Sequence, residues 1–222
     1  MIESKDAIIV FTRYPERGKV KTRLAKSIGD EAAFQIQKIL AKRTFKECLI
    51  LNDKKFSLFV FYPEENNEAQ VKNLVNGRFS FFTQDGNNLG KKMSNAFRKV
   101  FELGFEKAII IGTDIPDMSK LILSNAFMEL EKDDIVIGPS NDGGYYLLGM
   151  NKFIPGLFED IEWSTNSVFE KTINKINHSN FNYSALEELI DLDLKEDLLK
   201  WYEVNKYKHD DELVRFIKEL NL

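Results

Sequence analysis

Cysteine is almost missing. A single residue, Cys48, stands among 222. No disulfide can form within the chain, and the apolar helical pattern around Cys48 marks it as a small core residue. Histidine is scarce as well: His178 and His209 are the only two. Neither has a clustered partner, which excludes a Cys/His metal site. No apolar run approaches the roughly 20 residues that a membrane-spanning helix needs. A basic excess is lacking too, with 31 Lys+Arg against 35 Asp+Glu and a net charge of −4. A duplex nucleic-acid binder would carry such an excess. Nucleotides stay open, because a local cluster of cations can hold phosphate inside an acidic protein. A strand-like run starts within seven residues of Met1, which leaves no room for a signal peptide. Repeats, Pro-rich linkers and low-complexity tracts are absent, and no composition shift divides the chain. These absences predict one cytoplasmic domain over residues 1–222, an enzyme or a binding module.

What is present is a large apolar content, 43% of residues with 18 Phe, arranged as alternating strand and helix patterns. The run "AIIVFT", residues 7–12, has no polar alternation, as expected of a central strand buried on both faces. A helical region over 22–51 follows, interrupted at Gly29 and Asp30. Further strands are predicted at 56–62, 79–84, 107–112 and 134–139, with helices over about 66–77, 89–103 and 119–131. "GYYLLGM", residues 144–150, follows its predecessor too closely for a crossover helix, so it is expected to run antiparallel. A helix over about 164–176, capped by Ser164 or Thr165, and a last helix after 190 complete the pattern. This order predicts an α/β fold: a mainly parallel, twisted, doubly wound sheet with helices on both faces.

In such sheets ligands gather beyond the carboxyl ends of the strands. Three polar segments fall at such ends: "TRYPERGKVKTR" after the first strand, "DGNNLG" after the third and "TDIPD" after the fourth. The first holds Arg13, Arg17, Lys19, Lys21 and Arg23 around Gly18. It is neither a Walker loop nor a dinucleotide fingerprint, yet a basic loop entering a helix can wrap a diphosphate. In the third, Asp114 and Asp117 are carboxylates close together at a strand end. Their repulsion is naturally relieved by a cation, and hard oxygen ligands select Mg²⁺ or Mn²⁺. Asp114 could equally contact a ribose, and Asp117 could cap the next helix, as could Ser119. "SNDGGYYLLGM" places two glycines where backbone can approach a ligand or simply turn. Trp163 could cover a sugar ring or pack. Asp191 and Asp193 precede the last helix, where its dipole favours acids in any case.

Taken together, "FTRYPERGKVKTRL", "DGNNLGKKMSNAF", "IGTDIPDMS", "IGPSNDGGYYLLGM", "IEWSTNSVFEKT" and "DLDLKEDL" resemble the small GT-A-type glycosyltransferases associated with radical-SAM and arsenosugar-type pathways. The resemblance covers nearly the whole chain. It implies a nucleotide-diphospho-sugar transferase fold with a Rossmann-like nucleotide-binding half. It places Asp114 at the family's metal-associated aspartate, with Asp117 as nearby support or second ligand. Asp193 matches the second aspartate of an Asp-x-Asp-Thr-Pro-Glu-Asp segment in related nucleotidyltransferases, although the Thr-Pro pair is absent here. The expected ion is Mg²⁺ or Mn²⁺, bound by Asp114, Asp117 and Asp193. The expected catalytic residues are Asp114, Asp142 and Lys21, with Asp142 as acceptor base or donor-sugar contact. Nucleotide contacts are expected from Thr12, Arg13, Gly18, Lys21, Arg23, Leu89, Gly90, Thr113, Gly143 and Gly144. The implied reaction moves sugar from a nucleoside-diphosphate sugar to a small acceptor. Guanylyl or cytidylyl transfer, to which "KTRL" also points, and a non-catalytic nucleotide-binding module are the alternatives.

Overall fold

The apolar runs assemble into one seven-stranded sheet. The computed structural model describes residues 5–51, 56–75 and 77–222. Strands β1 (Asp6–Phe11), β2 (Phe56–Tyr62), β3 (Ser80–Thr83), β4 (Lys107–Ile111), β5 (Ile135–Pro139), β6 (Tyr145–Met150) and β7 (Tyr183–Ala185) lie in the order β3-β2-β1-β4-β6-β5-β7. β1 pairs in parallel with β2 and with β4, β2 with β3, and β5 with β7. β6 alone runs antiparallel, between β4 and β5, as its short connection requires. Ala7 to Val10 are fully buried, because helices cover both faces of a parallel sheet and leave its central strand no solvent side.

The helices are α1 (Thr22–Ile28), α2 (Asp30–Leu51), α3 (Glu68–Leu74), α4 (Leu89–Glu102), α5 (Lys120–Glu129), α6 (Val168–Asn177), α7 (Lys195–Asn205) and α8 (Glu212–Glu219). Gly29, at φ 86°, ends α1 and lets the chain re-enter a helix at once. Phe45 and Cys48 of α2, with α5, cover one face of the sheet. Met93, Phe97 and Val100 of α4 cover the other. The N-terminal half of α2, through Ile36 and Leu40, packs instead against Trp201 of α7 and Leu213 of α8. Among the described residues no helix is long and apolar enough to cross a membrane.

Three elements depart from the sequence expectation. β7 is a three-residue edge strand with no apolar run to announce it. The terminal helix is two, split at 206–211. α6 starts at Val168: Ser164 takes a left-handed φ of 65° and the Thr165 hydroxyl donates to the Glu162 carbonyl, so neither caps the helix. Asn76, inside the expected third helix, and residues 1–4, to which the signal-peptide expectation refers, lie outside the described residues.

Candidate functional site

The chain leaves β1 for β2 and β3 on one side, then returns to place β4 on the other side of β1. That reversal opens a crevice beyond the carboxyl ends of β1 and β4, where ligands of open α/β sheets bind. The start of β6 and the end of β5 reach the same rim, since Gly112 donates to the Tyr146 carbonyl and Ser140 pairs with Leu189 beyond β7.

Lys21 occupies this crevice. It precedes α1 with a left-handed backbone, φ 43° and ψ 46°. Its side chain is only 2% exposed, and its Nζ lies 3.0 Å from Asp114 Oδ1 and 3.4 Å from Oδ1 of both Asp191 and Asp193. Arg23 reaches Asp193 Oδ2 at 3.9 Å from the solvent side. Burial works against the charge of Lys21, but the three facing carboxylates outweigh it and hold the ammonium above the usual lysine range. Burial likewise pushes the Asp191 carboxyl well above its ordinary value. Lys21 opposes this shift, while Asp114, Asp193 and Asp142 add to it. The rim thus gathers more negative charge than its one buried cation neutralises.

Asp142 sits beside this cluster in a tight turn. Its Oδ1 accepts from the Ser140 hydroxyl at 2.5 Å and from the Gly144 amide at 3.0 Å. Gly143, at φ 84°, lets the turn pack on the loop before α6: a Cβ there would stand 2.0 Å from the Asn166 carbonyl oxygen. Asn141 ties the turn to the acidic strap. Its side chain accepts from the Asp191 amide at 2.8 Å and donates to Asp197 at 3.1 Å.

Several sequence candidates are placed differently from expectation. Asp117 turns away from Lys21 and accepts from the Trp201 indole at 2.9 Å. Ser119, not Asp117, caps α5. Thr12 and Thr113 are buried at the strand ends, and the Thr113 hydroxyl faces Gln37. Gly90 is buried against Trp163, whose ring lies 2.1 Å from where a Cβ would be. Trp163, half-buried, in turn packs on Tyr145 and Phe158. Lys21 is enclosed by carboxylates and does not present its ammonium to solvent. Arg13, Gly18, Arg23 and Leu89 are exposed. Of the residues bound to the cluster, Asp191 was read from sequence only as an acid before a helix, and Asn141 was not singled out. The Asp-Leu-Asp repeat was the signal for the first, and nothing local marks the second.

The chemistry of the donors bears on the expected ion. Asp114, Asp191 and Asp193 offer hard oxygens of the kind Mg²⁺ and Mn²⁺ take. Among the described residues, however, no group of three or more His, Cys, Asp or Glu is arranged to hold a metal ion, and the Lys21 ammonium stands where the three carboxylates converge. The residues therefore fit an ion carried by one or two carboxylates with substrate phosphates and water, not one caged by protein. Asp114 and Asp193, the more exposed of the three, suit that role. Two grooves, of about 590 and 390 Å³, run along α2 and α8 and leave this rim aside.

A family profile matches residues 48–165, just over half of the chain, including Asp114 and Asp142. The chain belongs to the DUF2064 family. That family is described as an uncharacterized protein conserved in bacteria. No curated protein matches the chain. Among solved structures, a candidate nucleotide-diphospho-sugar transferase from Desulfovibrio desulfuricans G20 is similar over 98% of this chain and 96% of its own, with a TM-score of 0.91 and 29% identity. The 4-diphosphocytidyl-2C-methyl-D-erythritol synthase of Anaerococcus prevotii DSM 20548 covers 93% of this chain and 99% of its own at TM-score 0.60 and 11% identity. A cytidylyltransferase from Leptospira borgpetersenii covers 98% and 94% at TM-score 0.55 and 14% identity. The fold is that of the nucleotide-diphospho-sugar transferases.

Proposed function

We propose that this chain is a metal-dependent transferase of nucleoside-diphosphate sugars, moving the sugar to a small acceptor. One observation carries the reading. Carboxylates from two distant segments, Asp114 after β4 and Asp193 before α7, converge with Lys21 of the β1–α1 loop and Arg23 of α1 at the sheet's switch point. The likeness to the Desulfovibrio protein, whose name gives that class of reaction, supports it. Asp114 and Asp193 would hold Mg²⁺ or Mn²⁺, which when bound neutralises charge on the departing diphosphate.

The remaining roles belong to the chain's own side chains. Arg13, Lys19 and Arg23 are exposed on or beside the β1–α1 loop and paired only at the surface, Arg13 with Glu65 at 3.7 Å and Lys19 with Glu16 at 2.7 Å. They can exchange these partners for phosphate oxygens through charge-assisted hydrogen bonds. Asp142 uses Oδ1 to fix its own turn, leaving Oδ2 to accept from the acceptor hydroxyl or a donor-sugar hydroxyl.

A thermal-shift panel of nucleoside-diphosphate sugars and NTPs, with and without Mn²⁺, tests this. A donor at a hundred times its Kd stabilises by about 2.7 kcal/mol, or roughly 5–10 °C for a chain of this size. The shift should require Mn²⁺ and vanish in Asp114→Asn. If no nucleoside-diphosphate sugar shifts the protein, the reading fails. Pyrophosphate released from an NTP in the presence of an acceptor would move it to nucleotidyl transfer.

A further inference from the structure

Resting on the transferase reading, we propose that Lys21 is a resident counter-ion: in the ligand-free protein its ammonium holds the place of the divalent ion and keeps Asp114 and Asp193 from loading one. A lysine free to grip phosphate in the ligand-free protein would project its ammonium to solvent. This one is 2% exposed and ends 3.0 to 3.4 Å from three carboxylates. The carboxylates come from two stretches of chain far apart in sequence, so the ammonium is their shared focus and not the partner of any one. An ion bound to Asp114 and Asp193 together would have to share that focus with a like charge, which is unfavourable at such distances.

The charges are also unequal. Three carboxylates face one buried ammonium, and Arg23 touches only the outer oxygen of Asp193. Asp142 adds its field to Asp191. Removing Lys21 leaves three converging carboxylates, the largely buried Asp191 among them, without their shared cation, a state that recruits a cation or a proton. Lysine suits a place-holder: its ammonium is a compact point charge on a flexible four-carbon stem, so it can leave the focus while the backbone stays fixed. A diphosphate arriving at the rim offers that ammonium a new partner. Ion and nucleotide then favour one another's binding, and by linkage the effect is equal in both directions.

The test is calorimetric titration of Mn²⁺ alone into the wild type and Lys21→Met, repeated with saturating UDP and GDP. Lys21→Met should bind Mn²⁺ at least tenfold more tightly than the wild type without nucleotide. The wild type should gain at least tenfold in Mn²⁺ affinity from the nucleotide, and the variant should gain much less. Equal Mn²⁺ affinity in the two proteins without nucleotide overturns the proposal. Should Lys21→Met fold poorly, Lys21→Gln takes its place, read by melting temperature: Mn²⁺ should stabilise the variant and leave the wild type unmoved, and an equal response overturns the proposal. The transferase reading is judged separately. If the wild type takes up nucleotide with Mn²⁺ while both proteins bind Mn²⁺ alone equally, the counter-ion role falls and the transferase stands. If the variant binds Mn²⁺ tightly and nucleoside-diphosphate sugars never bind, the exclusion of the ion stands and the transferase falls.

Discussion

Asp114 and Asp117 sit three positions apart in one turn and meet opposite surroundings. Asp114 faces a cluster in which three carboxylates share one buried ammonium. Asp117 faces a neutral donor, the Trp201 indole, beside an ion pair of one cation and one carboxylate. There Arg43 donates to the Pro116 carbonyl and to Asp211, both at 2.7 Å, and lies 5.9 Å from the centre of the Trp201 ring. Asp211 itself caps α8. At the Asp117 end each polar group has a partner suited to it, which is what stability favours. At the Asp114 end like charges are held together and the imbalance is left in place. Such arrangements cluster at functional sites.

The largest effect should come from the Asp117 end. Trp201 is 1% exposed and joins α7 to α1, α2 and α8. Trp201→Ala should cost about 3–5 kcal/mol in urea unfolding, the range for truncating a buried aromatic. A loss below about 1 kcal/mol would mean that the C-terminal helices hold the 114–117 turn without it, and the comparison would break. Arg43→Met should follow at about 1.5–3 kcal/mol, the range for hydrogen bonds that involve a charged group. It leaves the Pro116 carbonyl without its donor and takes the cation from Asp211 Oδ1, which keeps only the Leu213 and Val214 amides, while preserving the aliphatic stem against the ring. Neither change should alter Mn²⁺-dependent nucleotide affinity per folded molecule, which binding titrations on the folded fraction would check.

The two ends of the turn also differ in how far they could be read from the sequence. Buried parallel strands are continuous apolar runs, so β1 and β4 were legible within a residue, and the strand-end rule then located Asp114 and the basic loop. β6 was legible as antiparallel because its connection is too short for anything else. What the sequence concealed depends on distant partners. Lys21 looked like an exposed phosphate contact because its carboxylates lie far along the chain: 170 residues separate it from Asp191. Asp117 looked like a metal ligand because Trp201, its partner, is 84 residues away. Gly90 and Trp163 were read separately, and their mutual contact, across 73 positions of chain, was not legible. β7 and the break between α7 and α8 carried no periodic signal at all.

The smallest stability effects give the sharpest comparison, because they set the two aspartates side by side. Asp117→Ala leaves the N–H of the buried Trp201 without its acceptor, at about 1–2 kcal/mol, and should not touch ligand binding. Asp114→Asn removes the nearest partner of Lys21 but also relieves repulsion from Asp191 and Asp193. These effects oppose one another, so the stability change should stay within about 0.5 kcal/mol. Binding should move the other way: Asp114→Asn should lower Mn²⁺-dependent affinity for a nucleoside-diphosphate sugar more than tenfold, and Asp117→Ala less than twofold. Urea unfolding and calorimetric titration on the same two samples give all four numbers. If Asp117→Ala were the variant that lost binding, the ion would be held on the Trp201 side of the turn. The surplus of carboxylates around Lys21 would then have no functional reading.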